Sequence, residues 1–459
     1  MRAPIALPSG CIARRGWAAG FHHGLLVVLA LLLLSGAACS KKAETPKPVP
    51  ESRPVNIVFI LLDAVRADHL TPYGYARRDT TPFLASLAEK SVVFDRAYAT
   101  STWTPSSMAS IFTSLYVNQH GVLTGYVATK SALERGEIIA LNRIPSTVET
   151  LPEVMKRLGY RTFGVADNLN ICEQMGFSRG FDHFSPHNSA GSDVINEQIL
   201  DWRDAIRSGG PYFLYIHYMD AHMPYRRREP WYDEKVKPAE ARREAYDSNL
   251  SLLDKRIRKV FEMLDFSQDT MVVVTADHGE EFQDHGGVGH KNQLYNELLR
   301  VPMIVYLPER LRPRRVAETV SSLDLLPTFR ELAGDRPNRL DRGVSFFKTL
   351  AGSPAGEPRT LFPMRWSETE EKTAKKGVVR GKWKCIVTLP QKNEELYDTE
   401  EDPRERVNLA KKDPSMVAEM RRRLEDFEKN ARVFPREFAR PARVSPEQAE
   451  QLRALGYLK

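Results

Sequence analysis

The sequence predicts an α/β fold, a mostly parallel sheet flanked by helices, with a small α/β subdomain at the C-terminal end. Three near-continuous apolar runs each end in acids or histidines, and helical patterns lie between them. At 459 residues and 42% hydrophobic composition the chain can bury one large domain plus a smaller one. Apolar runs without alternation belong to strands covered on both faces. Strands that alternate with helices build a mainly parallel sheet, whose ligands gather beyond the carboxyl ends of the strands.

The chain opens with a targeting pattern. Arg14 and Arg15 precede the apolar run "GLLVVLALLLL" (Gly24 to Leu34), and the small residues "SGAAC" end at Cys39. A basic region, a short apolar core and small residues read as a secretory signal over 1–38. The core is shorter than the roughly 20 residues of a membrane-spanning helix. A cysteine after small residues resembles a bacterial lipobox, although Gly36 stands where a leucine is usual. The expectation is export to the bacterial cell envelope, with a lipid on Cys39 anchoring the protein to the membrane and the body facing the periplasm. Residues 39–54, charged and Pro-rich, suit a tether. In the body only Cys172 and Cys385 remain, as a disulfide or as two buried thiols.

The main domain is expected over 55–345. A strand from Ile57 to Leu62 ends in Asp63, and "TPFLASLAEK" follows as a helix. In "STWTPSSMASIFTSLY", Thr104 precedes Pro105 and an amphipathic helix, so Thr104 reads as its N-cap and Pro105 as its first residue. The helix "STVETLPEVMKRLGY" leads toward a second strand, Phe213 to Met219, followed by Asp220 and His222. The Arg-rich "MPYRRREP" suits a pocket-lining loop or a solvated surface, and "AYDSNLSLLDKRIRKVFEMLD" is a helix. A third strand, Met271 to Thr275, runs into Asp277 and His278, and Gly279 lets the chain turn. Glycines before His290 and Lys291, and a helix after them, suit a loop that contacts an anion.

A boundary is expected in the Gly-, Pro- and charge-rich stretch from Gly334 to Glu357, although "GVSFFKTL" inside it can still pack on the core. The subdomain, 346–459, holds a hairpin in "KKGVVRGKWKCIVTL" with Gly381 near its turn, and an amphipathic helix in "PSMVAEMRRRLEDFEKNAR".

The chemistry-bearing residues sit at strand ends. Asp63, Asp277 and His278 are of types that share one divalent cation, and Ca, Mn, Mg and Zn all tolerate such a mixed shell. Asp284 and His285 read as loop residues or supports outside that shell. A helix N-terminus beside Thr104 favours a phosphate or sulfate, and cation coordination would make the threonine hydroxyl a competent nucleophile. His222 can protonate a leaving oxygen. The net charge of +7 fits an anionic ligand. A nucleic-acid partner is not expected, because basic arms, zinc-finger spacing and aromatic–basic repeats are missing.

From Asn56 to Lys459 these segments, in this order, resemble the sulfatase branch of the alkaline phosphatase superfamily. "NIVFILLDAVRADHL" and "VVVTADHGEEFQDHG" look like its metal segments, "TPSSMASIFTSLY" its nucleophile helix and "FLYIHYMDAHMPY" its central histidine segment. "GHKNQLYNELLRVPMIVYLP" and "ELYDTEEDPRERVNLA" look like late signatures. The resemblance implies Asp63, Thr104, Asp277 and His278 around one divalent metal cation, with Thr104 as nucleophile. It implies His222, His290 and Lys291 as catalytic partners.

The departures point away from formylglycine chemistry. Threonine carries a methyl on Cβ and cannot yield that aldehyde, Met108 replaces the motif arginine, and Ala64 follows Asp63 where many relatives have a second acid. The expected activity is therefore metal-dependent hydrolysis or transfer of phosphate esters, on an anionic glycan, lipid or small-molecule substrate. The alternatives are a sulfuric ester hydrolase without formylglycine and a catalytically degenerate anion-binding lipoprotein.

Overall fold

Phe59, Phe213, Tyr215 and Val273 have no exposed surface, so neighbouring strands of the central sheet are sandwiched between layers, as unbroken apolar runs require. A computed structural model describes residues 55–440, 449, 450 and 453, apart from 127–138, 234, 291, 309, 354–357, 367–373 and 392. These residues belong to one compact unit, Pro48–Lys459. The targeting segment, Cys39 and the tether lie outside the described residues, as does Lys291.

The main sheet contains β1 (Asn56–Leu62), β2 (Val92–Tyr98), β3 (Arg161–Ala166), β4 (His183–Pro186), β5 (Tyr212–Tyr218), β6 (Thr270–Ala276), β7 (Arg300–Val301), β8 (Met303–Tyr306) and β9 (Arg314–Ser321). Its order is β7-β2-β8-β6-β1-β5-β3-β4, with β9 paired to β2. β1 pairs in parallel with β5 and β6, and β3 in parallel with β5 and β4. β8 runs antiparallel to β6 and to β2.

Helices cover the sheet. The expected ones form as α1 (Pro82–Ala88), α2 (Thr104–Thr113), α3 (Leu151–Arg157) and α5 (Pro238–Leu264), with α4 (Ser192–Asp201) and α6 (Leu325–Leu332) beside them. α2 is buried along its whole length. Among the described residues, no helix is long and apolar enough to cross a membrane.

A second, antiparallel sheet follows, built from β10 (Thr360–Leu361), β11 (Met364–Trp366), β12 (Ala374–Arg380), β13 (Trp383–Leu389) and β14 (Asn393–Asp398). The predicted hairpin is β12–β13, turning at Gly381 with φ 54°. The predicted amphipathic helix is α7 (Pro414–Asn430), which buries Val417, Met420 and Leu424. Phe346, in the expected linker, packs 5.0 Å from Phe94 in the main core. Cys172 and Cys385 are both buried free thiols.

The second sheet is fastened to the first body at Asn296, whose Oδ1 accepts from Lys384 Nζ at 3.2 Å. Lys384 Nζ lies 2.8 Å from Glu405 Oε1, with neither side chain exposed. Glu405 also accepts from the Asn296 amide at 2.7 Å.

Candidate active site

Asp63 follows β1, Asp277 and His278 follow β6, and His222 lies four residues past β5. These strands are adjacent and parallel, so their carboxyl ends open on one spot. The Asp63 amide donates to the Tyr218 carbonyl at 2.8 Å, continuing the ladder one residue beyond the strand. The chain then bends at Ala64, which holds φ 58°. The Ala64 N–H donates to Asp277 Oδ1 at 3.2 Å, and the His278 N–H to the same oxygen at 2.8 Å. Gly279 is needed for space rather than for a turn. A Cβ there would lie 1.9 Å from the Glu297 carbonyl oxygen, against which the chain is drawn by the Gly279 and Glu280 amides.

Asp63, Asp277 and His278 each offer one ligand atom, all within 4.8 Å of one another, and all three are fully buried. Asp63 Oδ1 and Asp277 Oδ2 have no hydrogen-bond partner. Burial, then repulsion from Asp277, pushes the Asp63 carboxyl up, and burial pushes Asp277 up to about 7. Two buried, close carboxylates with orphaned oxygens cannot both stay charged unless a cation sits between them. The His278 ring answers the same need. Its Nδ1 donates to the Gly279 carbonyl at 2.9 Å, which leaves the Nε2 lone pair facing the acids. Burial and the neighbouring His290 hold that ring neutral, lowering its pKa to about 3. The donor set fits a divalent cation.

Thr104 joins the group, but not as the expected cap. The helix begins on it, with Trp103 in the cap position, so Thr104 and Pro105 occupy the first turn. Its Oγ1 is 3.2 Å from His278 Nε2. Ser107 Oγ donates to the Asp277 carbonyl at 2.6 Å and pins the helix to the end of β6.

Three imidazoles stand side by side. The His290 ring is 4.5 Å from His278 and 4.8 Å from His222. His222 Nδ1 donates to the Met223 carbonyl, and His290 Nδ1 bonds Glu280 Oε1 at 3.1 Å, so a neighbour engages Nδ1 of each ring. Glu280 is buried, which pushes its carboxyl up to about 7. Asp284 and His285 stand apart. Asp284 pairs with Arg66 at 2.7 Å, and His285 pairs with Glu297 at 2.6 Å. Asp220, next to His222, instead accepts from Ser192 at the start of α4.

Four neighbours were not anticipated. Asn168 Nδ2 donates to Asp63 Oδ2 at 2.7 Å, and His217 Nε2 lies 3.5 Å from that oxygen. Asn168 sits past the end of β3 in "RTFGVADN", a strand-end signal of the same kind as Asp63. Glu280 and Arg365 carry no such mark.

The sulfatase family model matches residues 55–335, and the model described as "N-sulphoglucosamine sulphohydrolase, C-terminal" matches 284–430. A Delta 4,5-hexuronate-2-O-sulfatase of Bacteroides thetaiotaomicron is 26% identical over 436 residues, covering 79% of this chain and 87% of the relative. A Kdo(2)-lipid A phosphoethanolamine 7''-transferase of Salmonella typhimurium is 26% identical over 269 residues, covering 55% of this chain and 44% of the relative. Among solved structures, a 2-O GAG sulfatase superposes with a TM-score of 0.67 at 22% identity, over 82% of this chain and 92% of that one. A phosphonate monoester hydrolase of Agrobacterium radiobacter superposes at 0.65 and 17% identity, over 82% of this chain and 95% of that one. Sheet order, strand-end acids and these neighbours agree on an alkaline-phosphatase-like fold. With its match running through every strand of the main sheet, the chain belongs to the sulfatase family.

Proposed function

We propose that the protein is a divalent-cation-dependent hydrolase or transferase of phosphate esters, with Thr104 as its nucleophile. One observation carries the reading: a buried threonine hydroxyl lies 3.2 Å from His278 Nε2, within the group formed with Asp63 and Asp277. The Cβ methyl of threonine bars conversion to formylglycine, which turns the reading from ordinary sulfatase chemistry toward direct attack. The likeness to a phosphoethanolamine transferase supports the same direction.

Asp63, Asp277, His278 and Thr104 would hold the cation, which would lower the hydroxyl pKa and offset charge on the ester oxygens. Thr104 Oγ attacks phosphorus in line. The Oγ–P bond forms as the bond to the leaving oxygen breaks, and the hydroxyl proton passes to water. His222 or His290, once protonated on Nε2, gives its proton to the leaving oxygen. Amides in the first turn of α2, and Lys291, would stabilise charge on the equatorial oxygens. Water, or an acceptor alcohol, then displaces Thr104 and restores the hydroxyl. The expected export and the lipid on Cys39 belong to this proposal and set the reaction at an envelope surface.

A second reading, sulfate-ester hydrolysis without formylglycine, is favoured by the sulfatase relative that covers most of the chain. A parallel turnover screen of aryl phosphate monoesters, phosphodiesters and sulfates with added Ca, Mn, Mg or Zn separates the two. Phosphoester turnover that disappears in Thr104→Ala is the expected result. Turnover of sulfates alone would overturn the first reading.

A further inference from the structure

The helix that carries Thr104 has no basic side chain of its own, since Thr104–Thr113 reads TPSSMASIFT. A cation arrives instead from the second sheet. Arg365, on β11, is 7% exposed, and its Cζ sits 4.9 Å from the ring centroid of Trp103, the residue next to Thr104. The same indole lies 6.3 Å from the His290 ring.

The placement is built rather than incidental. The Met364 amide donates to the Thr100 carbonyl at 2.8 Å, fastening β11 to the loop that leads into Thr104. Thr102 Oγ1 donates to the Gln293 carbonyl at 3.0 Å, fastening that loop to the one that carries His290. Arg365 Nη1 donates to the Trp366 carbonyl at 2.8 Å, which fixes one edge of the guanidinium. A guanidinium held over an aromatic face keeps its planar fork of N–H donors, the group that grips an oxyanion with two bonds.

We propose that Trp103, His290 and Arg365 form an anion subsite beside Thr104, in which Arg365 binds the oxyanion of the ester group that is transferred. The subsite rests on the reading of Thr104 as the nucleophile of an ester-cleaving site. It makes the second sheet a contributor to substrate recognition rather than a support.

The test uses inorganic phosphate and sulfate as minimal probes. Their affinity is measured by calorimetry on the full chain with saturating divalent cation, for wild type, Arg365→Gln and Arg365→Lys. Wild type is expected to bind at least one of the two anions. Arg365→Gln should weaken that binding tenfold or more, and Arg365→Lys, which keeps charge but loses the two-pronged grip, about threefold or more. Equal affinity in all three proteins overturns the subsite, as does a wild type that binds neither anion. If Arg365→Gln melts early, Arg365→Lys decides. Loss of the fold in both assigns Arg365 a structural role and also overturns the proposal. Binding is read without turnover, so failure of the nucleophile reading, seen as ester turnover unchanged in Thr104→Ala, remains a separate result.

Discussion

Thr104 Oγ1 and His278 Nε2 lie 3.2 Å apart although 174 residues separate them, and the imidazole presents a lone pair because its Nδ1–H is spent on the Gly279 carbonyl. If Thr104 is the nucleophile, Thr104→Ala should lower kcat by at least about 10³-fold while the melting temperature stays near wild type. Thr104→Ser keeps the hydroxyl and should retain measurable turnover. Intact mass after a substrate pulse should show a phosphoryl adduct in wild type and none in the alanine variant. An active Thr104→Ala would remove the nucleophile role.

The two strand-end acids make cation binding and stability a single measurement. Asp277 Oδ1 accepts two backbone amides while Oδ2 is orphaned, so Asp277→Asn preserves the backbone bonds and removes the repulsion with Asp63. In chelator, Asp277→Asn should melt above wild type. With a divalent cation at a hundred times its Kd, wild type should gain about 2.7 kcal/mol and the order should reverse. Melting curves for both proteins in both conditions check this. An unchanged order would count against Asp277 as a ligand.

Lys384 and Glu405 form a fully buried ion pair between the second sheet and the loop before α7. Lys384→Met strands a buried carboxylate and should cost about 3–5 kcal/mol. Adding Glu405→Gln removes that charge and keeps an acceptor for the Asn296 amide, so the double variant should recover much of the loss. Denaturant unfolding of the single and double variants gives the comparison.

His285 ties stability to pH. Burial opposes its charge, but the hydrogen bond and charge of Glu297, together with the Glu405 carbonyl and carboxylate, outweigh burial and raise the pKa above 6.5. A histidine whose folded pKa is raised adds stability that is complete below the unfolded pKa and fades as pH rises through the folded one. The melting-temperature gap between wild type and His285→Gln should therefore be larger at pH 5.5 than at pH 9. A gap that widens with pH contradicts the assignment.

The strand ends were legible because each apolar run stops at a residue that does not belong in a core. Asp63, His222, Asp277 and His278 could be read that way, and Asn168 should have been, since "VADN" closes β3 in the same manner. Thr104 lies beside the group, but its place in the helix differs from the expected cap, because the first helical bond runs from the Ser107 amide to the Trp103 carbonyl at 2.9 Å. Arg365 was beyond reach. It sits in an unremarked strand, and only the way the second sheet docks brings it to Trp103. Asp284 and His285 show the converse: closeness in sequence to Asp277 did not bring them to it, because Arg66 and Glu297 hold them elsewhere.

The bond from Ala64 to Asp277 spans 213 residues, and it also sets a timetable. A ribosome delivers Asp63 and Thr104 long before the strand that ends at Asp277, so β1 must wait, apolar on both faces, for the partner that completes it. Contacts this distant form late and leave unpaired strand edges open to aggregation in the meantime. On the proposed mechanism, a nascent or truncated chain that stops short of Asp277 should be inert. Turnover regained during refolding would therefore act as a clock for the closing of the central sheet.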